Sequence, residues 1–365
     1  PFLGGNVFDT EWDEPVFEST AFFEKGGVSI AVIGQHFPYT PIANPSYMVE
    51  GWSFGIRPEV LQKNVNKAKK QGAEIVVLLS HNGFDVDQKL AAMINGIDVI
   101  LTGHTHDAIP KGIRIKDTLL LSSGSHGKYL GRVDLKVKNG KVVDTSSNLI
   151  PVFSDIIPPD PDMTKMINEI RAPYQDECDR AIGETETLLY RRGNFNGSWD
   201  DVICNTIMQE RDTEISLSPG FRWGTTLLPG QKITIDDIYS QTSMNYPEVY
   251  RIEMTGKMIK ELLEDVCDNI FNPDPFFQQG GDMVRVGGLT YTCHPKNKMG
   301  KRISDLRMIS SGKTIESNKK YVVGGWGSVN PNVKGPAIYN LLENYISEKK
   351  IIKKSNLEAV KIVGM

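Results

Sequence analysis

The chain has 365 residues, of which 39% are hydrophobic and 24% charged, and its formal net charge is −4. At roughly 100–200 residues per domain, this length predicts two domains of ordinary globular composition. The small net charge provides no electrostatic basis for binding nucleic acid or an anionic membrane surface, so we expect neither as a partner. The longest apolar runs, such as residues 75–79, are far too short for a transmembrane helix.

The elements predicted for the first 150 residues alternate between strands and helices. Strands are expected at residues 28–34, 74–80 and 97–102, and helices at 58–71 and 87–95. Continuous apolar strands separated by helices are typical of a sheet that is covered on both faces. Further strands are expected at 119–122, 132–137 and 141–143, with a hairpin turn at Asn139-Gly140.

The pattern changes near residue 150, where Pro151, Pro158, Pro159 and Pro161 interrupt it. A polar, charged helix is predicted from about residue 162 to 181, and such a helix suits a bridge between domains. Helices near 199–209 and 257–269 and several short strands come next. We therefore predict a first domain at 1–155, a linker helix at 156–183 and a second domain at 184–365.

The four cysteines, Cys178, Cys204, Cys267 and Cys293, are widely separated and form no CxxC pair. This spacing argues against a zinc ribbon or a dithiol redox motif. Isolated buried thiols are the favoured interpretation, with one or two disulfides as the alternative. Cysteine usage therefore does not decide the cellular compartment.

Histidines follow two of the predicted strands. The strand at 74–80 leads into His81, and the strand at 97–102 leads into the turn Gly103-His104-Thr105-His106. Ligands gather beyond the carboxyl ends of strands in α/β sheets, and neutral imidazole suits Mn, Zn or Fe. One histidine at a strand end usually only closes a loop. Three of the six histidines at two strand ends indicate a metal site instead.

The strings SHNG at 80–83 and GHTH at 103–106 resemble the last two metal motifs of the calcineurin-like metallophosphoesterases. The proline-rich break, the bridging helix and the second domain are similar to the 5′-nucleotidase subgroup. The resemblance implies an α/β protein: the C-terminal part of a four-layer αββα metallophosphoesterase domain, then a smaller α/β domain of the 5′-nucleotidase C-terminal type. It implies that His81, His104 and His106 ligate two divalent ions, with Mn²⁺ the first expectation and Zn²⁺ the alternative.

The earlier motifs of that family are absent from this sequence, namely Asp-x-His, a Gly-Asp pair and a Gly-Asn-His-Asp/Glu loop. The opening run at residues 1–6 has no initiator methionine and resembles the stretch immediately after the third of these motifs. We therefore expect an N-terminal segment that precedes Pro1 or is supplied separately. The remaining metal ligands and the general acid or base would belong to that segment.

Longer strings narrow the resemblance. The counterpart of the nucleotidase Asn-Gly-Gly-x-Arg motif is LSPGFRWG at 217–224, and GGWGSVN at 324–330 replaces a Gly-Asp-Gly-Phe loop. The aromatic residues that bind a nucleotide base are therefore altered. The strings that resemble the SoxB-type thiosulfohydrolases of the Sox thiosulfate-oxidation system lie at 34–45, 80–91, 218–231, 272–291 and 324–330, and the resemblance covers essentially the whole chain.

That family hydrolyses a cysteine S-thiosulfonate on a carrier protein and releases sulfate in the bacterial periplasm. The resemblance implies a dimetal site that activates hydroxide for attack on the sulfonate sulfur, and a SoxYZ-like sulfur-carrier complex that presents a cysteine on a flexible arm. A sulfonate is a tetrahedral oxyanion close in shape to phosphate, so a dimetal site suits either. Two alternatives stay open: a 5′-nucleotidase-like metallophosphoesterase acting on nucleotides, and a non-catalytic binding module.

Two arginines and a tryptophan are candidates for the substrate site. Arg222 and Arg285 would bind the sulfonate, because guanidinium pairs with oxyanions in a fork geometry. The alternatives are that Arg222 packs on Trp223 and that Arg285 forms a surface salt bridge. Asp282 is expected to form a turn. Trp326 would line a tunnel for the carrier arm or pack at an interface.

The remaining candidates have structural alternatives of equal or greater weight. Asn194 and Asn196 either contact the ligand or cap the helix that follows them. Asp85 and Asp87 are expected to favour a helix N-terminus rather than to bind metal. Three histidines have no assigned role: His36, His126 and His294.

Overall fold

The structure is a computed structural model that describes residues 1–191, 193–244, 246–354 and 359–364. The chain divides into two compact units, Pro1–Pro159 with Asp274–Gly280, and Asp160–Pro273 with Gly281–Met365. The domains predicted from the sequence were contiguous, at 1–155 and 184–365 with a linker between them. The contacts instead group most of that linker with the second unit and a later segment with the first.

The first unit is built on a six-stranded, mainly parallel sheet. The strands of the whole unit, six of which form this sheet, are β1 (Phe8–Asp9), β2 (Thr20–Lys25), β3 (Val28–Gln35), β4 (Trp52–Ser53), β5 (Ile75–Ser80), β6 (Val99–Thr102), β7 (Ile113–Ile115), β8 (Thr118–Ser122), β9 (Tyr129–Lys138) and β10 (Lys141–Pro151). Its α-helices are α1 (Thr40–Ala43), α2 (Pro58–Lys70) and α3 (Phe84–Met93). The sheet order is β2-β3-β5-β6-β8-β7, in which β3, β5, β6 and β8 are parallel and the edge strands antiparallel. The predicted α/β architecture is confirmed.

One face of this sheet is covered by helices. Leu61 of α2 and Leu90 of α3 pack with Leu78 of β5 in a single buried cluster. Side chains alternate between the two faces of a strand, so Leu79 and Leu101 lie on the opposite face, and there they are 52% and 36% exposed. The same face also carries Leu119 and Leu121, which are only 4% and 2% exposed, so within residues 1–159 the expectation that both faces are covered holds in part. Continuous apolar strands do not by themselves reveal whether a covering element is present.

The last two strands of the first unit form a separate hairpin. β9 and β10 pair with each other in antiparallel register over almost their whole length. Asn139 and Gly140 between them have φ values of 52° and 68°, the left-handed conformation that a two-residue hairpin turn of this kind requires. The predicted turn is confirmed, and both strands are longer than predicted.

The second unit contains three small sheets and two apolar cores among its described residues. Its strands are β11 (Ala181–Thr185), β12 (Ile215–Ser218), β13 (Lys232–Thr234), β14 (Tyr250–Thr255), β15 (Arg285–Gly287), β16 (Leu289–Cys293), β17 (Ile303–Met308), β18 (Lys320–Gly325), β19 (Ile351–Ile352) and β20 (Val360–Ile362). Its helices are α4 (Pro161–Arg171), α5 (Gln175–Cys178), α6 (Ser198–Arg211), α7 (Ile235–Gln241), α8 (Gly256–Phe271) and α9 (Ile338–Lys349). The sheet orders are β14-β18-β12-β15, β13-β11-β19 and β17-β16-β20. None of the described helices is both long and apolar enough to cross a bilayer.

The predicted bridging helix is broken. α4 begins after Asp160, whose side chain accepts a hydrogen bond from the Met163 N–H at 2.8 Å. It ends at Arg171, and a 3₁₀ turn at Ala172–Tyr174 separates it from α5. Pro173 lies in that turn and has no N–H to donate to the preceding turn of helix, so one continuous helix cannot form.

Candidate functional site

The histidines at the ends of β5 and β6 come together in the first unit. The two strands are parallel neighbours, with Ser80 paired to Thr102, so the residues that follow them meet at one edge of the sheet. The ring centroids of His81 and His104 are 5.4 Å apart. The His104 ring also stacks on Phe37, at 4.1 Å, from the loop after the adjacent β3. The structure thus places two of the three predicted ligands side by side.

The Gly-His-Thr-His turn has an unusual backbone. His104 and His106 both have positive φ values, 77° and 61°, which are rare for residues with a side chain and cluster at functional sites. A side chain at Gly103 would place its Cβ 3.1 Å from Nδ1 of His81. Glycine at this position therefore lets the His81 ring lie against the turn. The ring of His106 lies 6.0 Å from that of His126, which had no predicted role.

The surroundings of His81 favour the form of imidazole that binds metals. Burial lowers the pKa of His81, and the nearby His36 lowers it further. At neutral pH the ring is therefore uncharged, and a neutral ring nitrogen has the lone pair that a metal needs.

Neutral imidazoles are suitable donors for a divalent ion, so His81 and His104 fit part of a metal centre. Within the described ranges, no three side chains of His, Cys, Asp or Glu gather in an arrangement that could hold a metal ion. The two histidines would therefore supply only part of a ligand set. The role of His106 as a further ligand stays a prediction.

A segment from late in the chain packs on the first unit. We call Asp274–Gly280 the strap, because it belongs to the first unit although the residues on either side of it belong to the second. Lys89 of α3 forms a 2.6 Å ion pair with Asp274 and lies over the Phe276 ring at 3.9 Å. The Tyr39 hydroxyl donates to the Phe276 carbonyl. Contacts with two separate elements therefore hold the strap in place.

The far end of the strap contacts His104 directly. Nε2 of His104 lies 3.2 Å from the carbonyl oxygen of Gln279. The next residue, Gly280, approaches so closely that a Cβ there would lie 2.3 Å from the same nitrogen. The strap thus defines the position of one candidate ligand, a role that sequence analysis did not assign to these residues.

Asp87 holds the end of β5, the strand that precedes His81. It is fully buried in the first turn of α3, and its Oδ1 accepts hydrogen bonds from the Ser80 hydroxyl at 2.9 Å and the Asn82 amide at 3.1 Å. Burial raises the pKa of Asp87 to about 6, although hydrogen bonding from Thr102, Ser80 and Asn82 opposes the rise. The predicted helix-terminal position is correct, but the carboxyl group turns back to brace the end of β5.

We expect the contribution of Asp87 to stability to depend on pH. Its pKa rises from 3.8 to about 6 on folding, so the stability conferred by the protonated group is complete below pH 3.8 and is lost as the pH approaches 6. Asp87→Asn cannot titrate. Relative to this variant, the unfolding free energy of the wild type should fall by about 2.5 kcal/mol between pH 4 and pH 7 in urea denaturation. Asp117→Asn, at an exposed site, is the control, and parallel profiles for wild type and Asp87→Asn would contradict the assignment.

The two candidate arginines share a carboxylate in the second unit. Nη2 of Arg285 lies 2.9 Å, and Nε of Arg222 3.3 Å, from the same oxygen of Asp282. The Arg222 side chain is 19% exposed, whereas that of Arg285 is fully buried. Trp223 stacks on Phe221 at 3.7 Å.

These positions correct the expectation for Arg285. Its Nη2 also donates to the Gly193 carbonyl at 2.9 Å, so it is a buried structural group rather than a surface salt-bridge partner. A fully buried guanidinium cannot present an open fork to a substrate in this conformation. Arg285 instead orients Asp282, and Arg222 is the arginine that retains an exposed surface.

Behind Arg285 lies a buried ion pair that sequence analysis missed. Nε of Arg191 lies 2.7 Å from Oδ1 of Asp200, with side-chain exposures of 1% and 0%. Oδ2 of Asp200 lies 3.4 Å from Nε of Arg285. Burial lowers the pKa of Arg191, and the adjacent Asp200 opposes that shift. The alternating guanidinium and carboxylate groups form a continuous network, from Arg191 through Asp200, Arg285 and Asp282 to Arg222.

The two asparagines have structural contacts. Asn196 exchanges two hydrogen bonds with the backbone of Val286, donating at 2.9 Å and accepting at 3.1 Å, and it also donates to Asp201. The residue that caps α6 is Gly197, so Asn196 ties the start of α6 to β15 rather than capping the helix. The backbone carbonyl of Asn194 accepts from the Met283 N–H at 3.0 Å. A ligand contact for either asparagine stays a prediction.

Trp326 belongs to an apolar core of the second unit. Its ring is 3% exposed, and its Nε1 donates to the Ser218 hydroxyl at 2.8 Å. Phe221 lies edge-on to it at 6.0 Å. Of the two expected roles of Trp326, lining a tunnel or packing at an interface, the structure shows packing.

Comparison with known proteins places the chain among the nucleotidase-like hydrolases. The profile of the 5′-nucleotidase C-terminal domain matches residues 181–327. The chain is 28% identical over 340 residues to the uncharacterized metallophosphoesterase YunD of Bacillus subtilis, covering 88% of this chain and 70% of the relative. It is 26% identical over 261 residues to the trifunctional nucleotide phosphoesterase YfkN of B. subtilis, covering 68% of this chain but 17% of the much longer relative.

A solved structure is similar over the whole length of the chain. The sulfate thiohydrolase SoxB of Thermus thermophilus, in complex with glycerol, is 35% identical to it with a TM-score of 0.95. The match covers 100% of this chain and 68% of the solved one. Membership of the metallophosphoesterase superfamily implies a dinuclear centre of divalent metals. The histidines that follow β5 and β6 agree with this. The chain belongs to the SoxB family within the 5′-nucleotidase superfamily of hydrolases.

Proposed function

We propose that this chain is part of a periplasmic thiosulfohydrolase that releases sulfate from a cysteine S-thiosulfonate carried by a SoxYZ-like sulfur-carrier complex. The observation that carries the proposal is the 35% identity, over the entire chain, to a solved sulfate thiohydrolase. The altered loops at 217–224 and 324–330 support it, because they change the aromatic pattern with which nucleotidases bind a base.

The chemistry needs no cofactor beyond metals. Water adds to the sulfonate sulfur, the bond between that sulfur and the neighbouring sulfane sulfur breaks, and the cysteine persulfide leaves with the electron pair. The products are sulfate and a persulfide, and the persulfide needs little protonation because it is a stable anion. Two divalent ions, Mn²⁺ first and Zn²⁺ as the alternative, would polarise the sulfonate and activate water when bound.

The residues of the first unit would hold and orient this centre. His81 and His104 would ligate metal as neutral imidazoles, with His106 as a further candidate. Phe37 stacks on one face of His104 and the strap contacts its Nε2, so the ring has little freedom to rotate. Asp87 braces the end of β5, the strand that leads into His81. Such supporting contacts preserve ligand geometry, which metal affinity depends on.

Arg222 would contact the oxyanion of the substrate. Its guanidinium keeps an exposed surface while Asp282 holds its Nε. A charged side chain that is already held in place loses less conformational freedom on binding than a flexible one. Arg285 would act as a positioning residue by fixing Asp282 from the buried side.

The second candidate function is hydrolysis of nucleotides. It is favoured by the match of residues 181–327 to the 5′-nucleotidase C-terminal domain and by the likeness to a nucleotide phosphoesterase. Phosphate and sulfonate are similar tetrahedral anions, so the same metals serve both substrates.

The deciding experiment measures sulfate and phosphate release in parallel. Full-length protein with Mn²⁺ receives a carrier peptide bearing cysteine S-thiosulfonate or, separately, a nucleoside monophosphate. We expect sulfate release that falls more than about 100-fold in His104→Ala, because even groups that only orient ligands contribute roughly 10–100-fold. The control is His294→Ala, since His294 pairs with Ser304 at 3.1 Å in the second unit. Phosphate release without sulfate release would overturn the proposal. If the wild type shows neither activity and does not bind Mn²⁺, the protein is a binding module.

A further inference from the structure

Two thiols lie in contact inside the second unit. Cys267 is in the last turns of α8 and Cys293 ends β16. Their Sγ atoms are 3.6 Å apart, and both side chains are fully buried in the core that includes Leu263 and Tyr291. All four cysteines are free thiols in this structure, but these two are not isolated from each other as the sequence suggested.

The stretch between the two cysteines contains several residues that contact candidate site residues. It contains the whole strap, whose Gln279 carbonyl contacts His104. It also contains Asp282 and Arg285, which form the centre of the charged network. A covalent bond between Cys267 and Cys293 would therefore join the two ends of the loop that carries these groups.

We propose that Cys267 and Cys293 are a disulfide-forming pair, oxidised by a small or protein disulfide during folding, and that the bond closes this loop at its base. The proposal concerns the two sulfur atoms and does not depend on which substrate the protein hydrolyses. Joining α8 to β16 restrains the unfolded chain by closing a loop that contains the strap, Asp282 and Arg285.

The exchange proceeds in two steps. The thiolate of one cysteine attacks one sulfur of the oxidant disulfide, which forms a mixed disulfide and releases one thiolate. The thiolate of the other cysteine then attacks the cysteine sulfur of the mixed disulfide, the intramolecular S–S bond forms, and the second thiolate leaves. The two protons lost by the cysteines go to the two released thiolates, so one disulfide is reduced for the one that is made.

The contact between the two sulfurs places each thiol within reach of the other. Either S–H could be the donor across the 3.6 Å contact. Cys204 differs, because it is also buried but its hydrogen-bonding neighbour is Ser216 rather than a second thiol, and burial raises its pKa. Since both paired thiols are fully buried, an oxidant reaches them during folding more readily than afterwards.

The test is mass spectrometry of refolded full-length protein. Denatured, reduced protein is refolded with reduced and oxidised glutathione, quenched with acid, unfolded, alkylated and digested. We expect one cross-linked peptide pair that joins Cys267 to Cys293, with Cys178 and Cys204 alkylated. Recovery of all four cysteines alkylated, or a bond that includes Cys178 or Cys204, would overturn the proposal.

Thermal unfolding provides a second, independent measurement. The oxidised wild type should melt roughly 5–10 °C above the reduced wild type. Cys293→Ala should show no difference between the two conditions, and Cys178→Ala should keep the full difference. Equal melting temperatures for oxidised and reduced wild type would show that the pair has no structural effect. Neither measurement uses a substrate, so a failure here is distinct from a failure of the proposed hydrolysis.

Discussion

Replacing Asp200 with alanine should destabilise the second unit by about 3–5 kcal/mol, because it leaves buried guanidinium groups without their counter-charge. Arg191 and Arg285 both contact Asp200, and all three side chains are at most 1% exposed. After the substitution only Asp282 would remain to balance them on the buried side. The loss is expected in urea denaturation, monitored by the fluorescence of Trp199 and Trp326 in the same unit.

Asp201 provides the matched control, because it is the next residue in the same first turn of α6. Its side chain accepts one hydrogen bond, from Asn196, and burial raises its pKa to about 6, so its charged form is not favoured by the fold. Asp201→Ala should therefore change stability by less than about 1.5 kcal/mol. Equal losses of unfolding free energy for the two variants would show that the ion pair with Arg191 does not contribute measurably to stability.

A third variant separates charge from packing. Removing both partners together, as in Arg191→Met with Asp200→Leu, should recover part of the stability lost by Asp200→Ala, since no charge is left unpaired at that position. A double variant at least as unstable as the single one would mean that the hydrogen bond from the Gly197 N–H to Asp200, at 2.8 Å, accounts for the effect.

Local patterns were sufficient to predict the sheet of the first unit and the loops that carry His81 and His104. Buried parallel strands need continuous apolar runs, so β5 and β6 could be located from composition alone. Parallel pairing then forces the residues after each strand to one edge, whatever the rest of the chain does. The meeting of these two histidines was therefore predictable from short-range information.

The rest depended on contacts between distant residues. His104 and Gln279 are separated by 175 positions, and Asn196 and Val286 by 90. No periodicity relates such residues, so the docking of the strap and the burial of Arg285 were not predictable from one sequence. Arg285 shows the consequence, because a charged residue is normally exposed unless a partner is supplied from elsewhere in the fold. The break after Arg171 is different, because Pro173 indicates it within the local sequence.

Gly280→Ala should weaken Mn²⁺ binding to the full-length protein by roughly 10–100-fold, the effect typical of disturbing a group that orients a metal ligand. The added methyl group would lie 2.3 Å from Nε2 of His104. Phe37 stacks on the face of the same ring at 4.1 Å, so the ring cannot rotate freely to relieve the clash. The strap or the ring must move, and the contact between His104 and the Gln279 carbonyl is lost in either case.

Gly281→Ala separates the clash from the strain of the backbone. Gly280 and Gly281 have similar positive φ values, 76° and 81°, so alanine is equally unfavourable at both. A Cβ at Gly281, however, would meet no atom within 4 Å. Calorimetric titration with Mn²⁺ should therefore show weakened binding only for Gly280→Ala. Equal weakening in both variants would assign the effect to the backbone conformation at Gly280 and Gly281. Unchanged binding in both would mean that His104 does not depend on the strap for its position, and the close approach of Gly280 would then be a matter of packing alone.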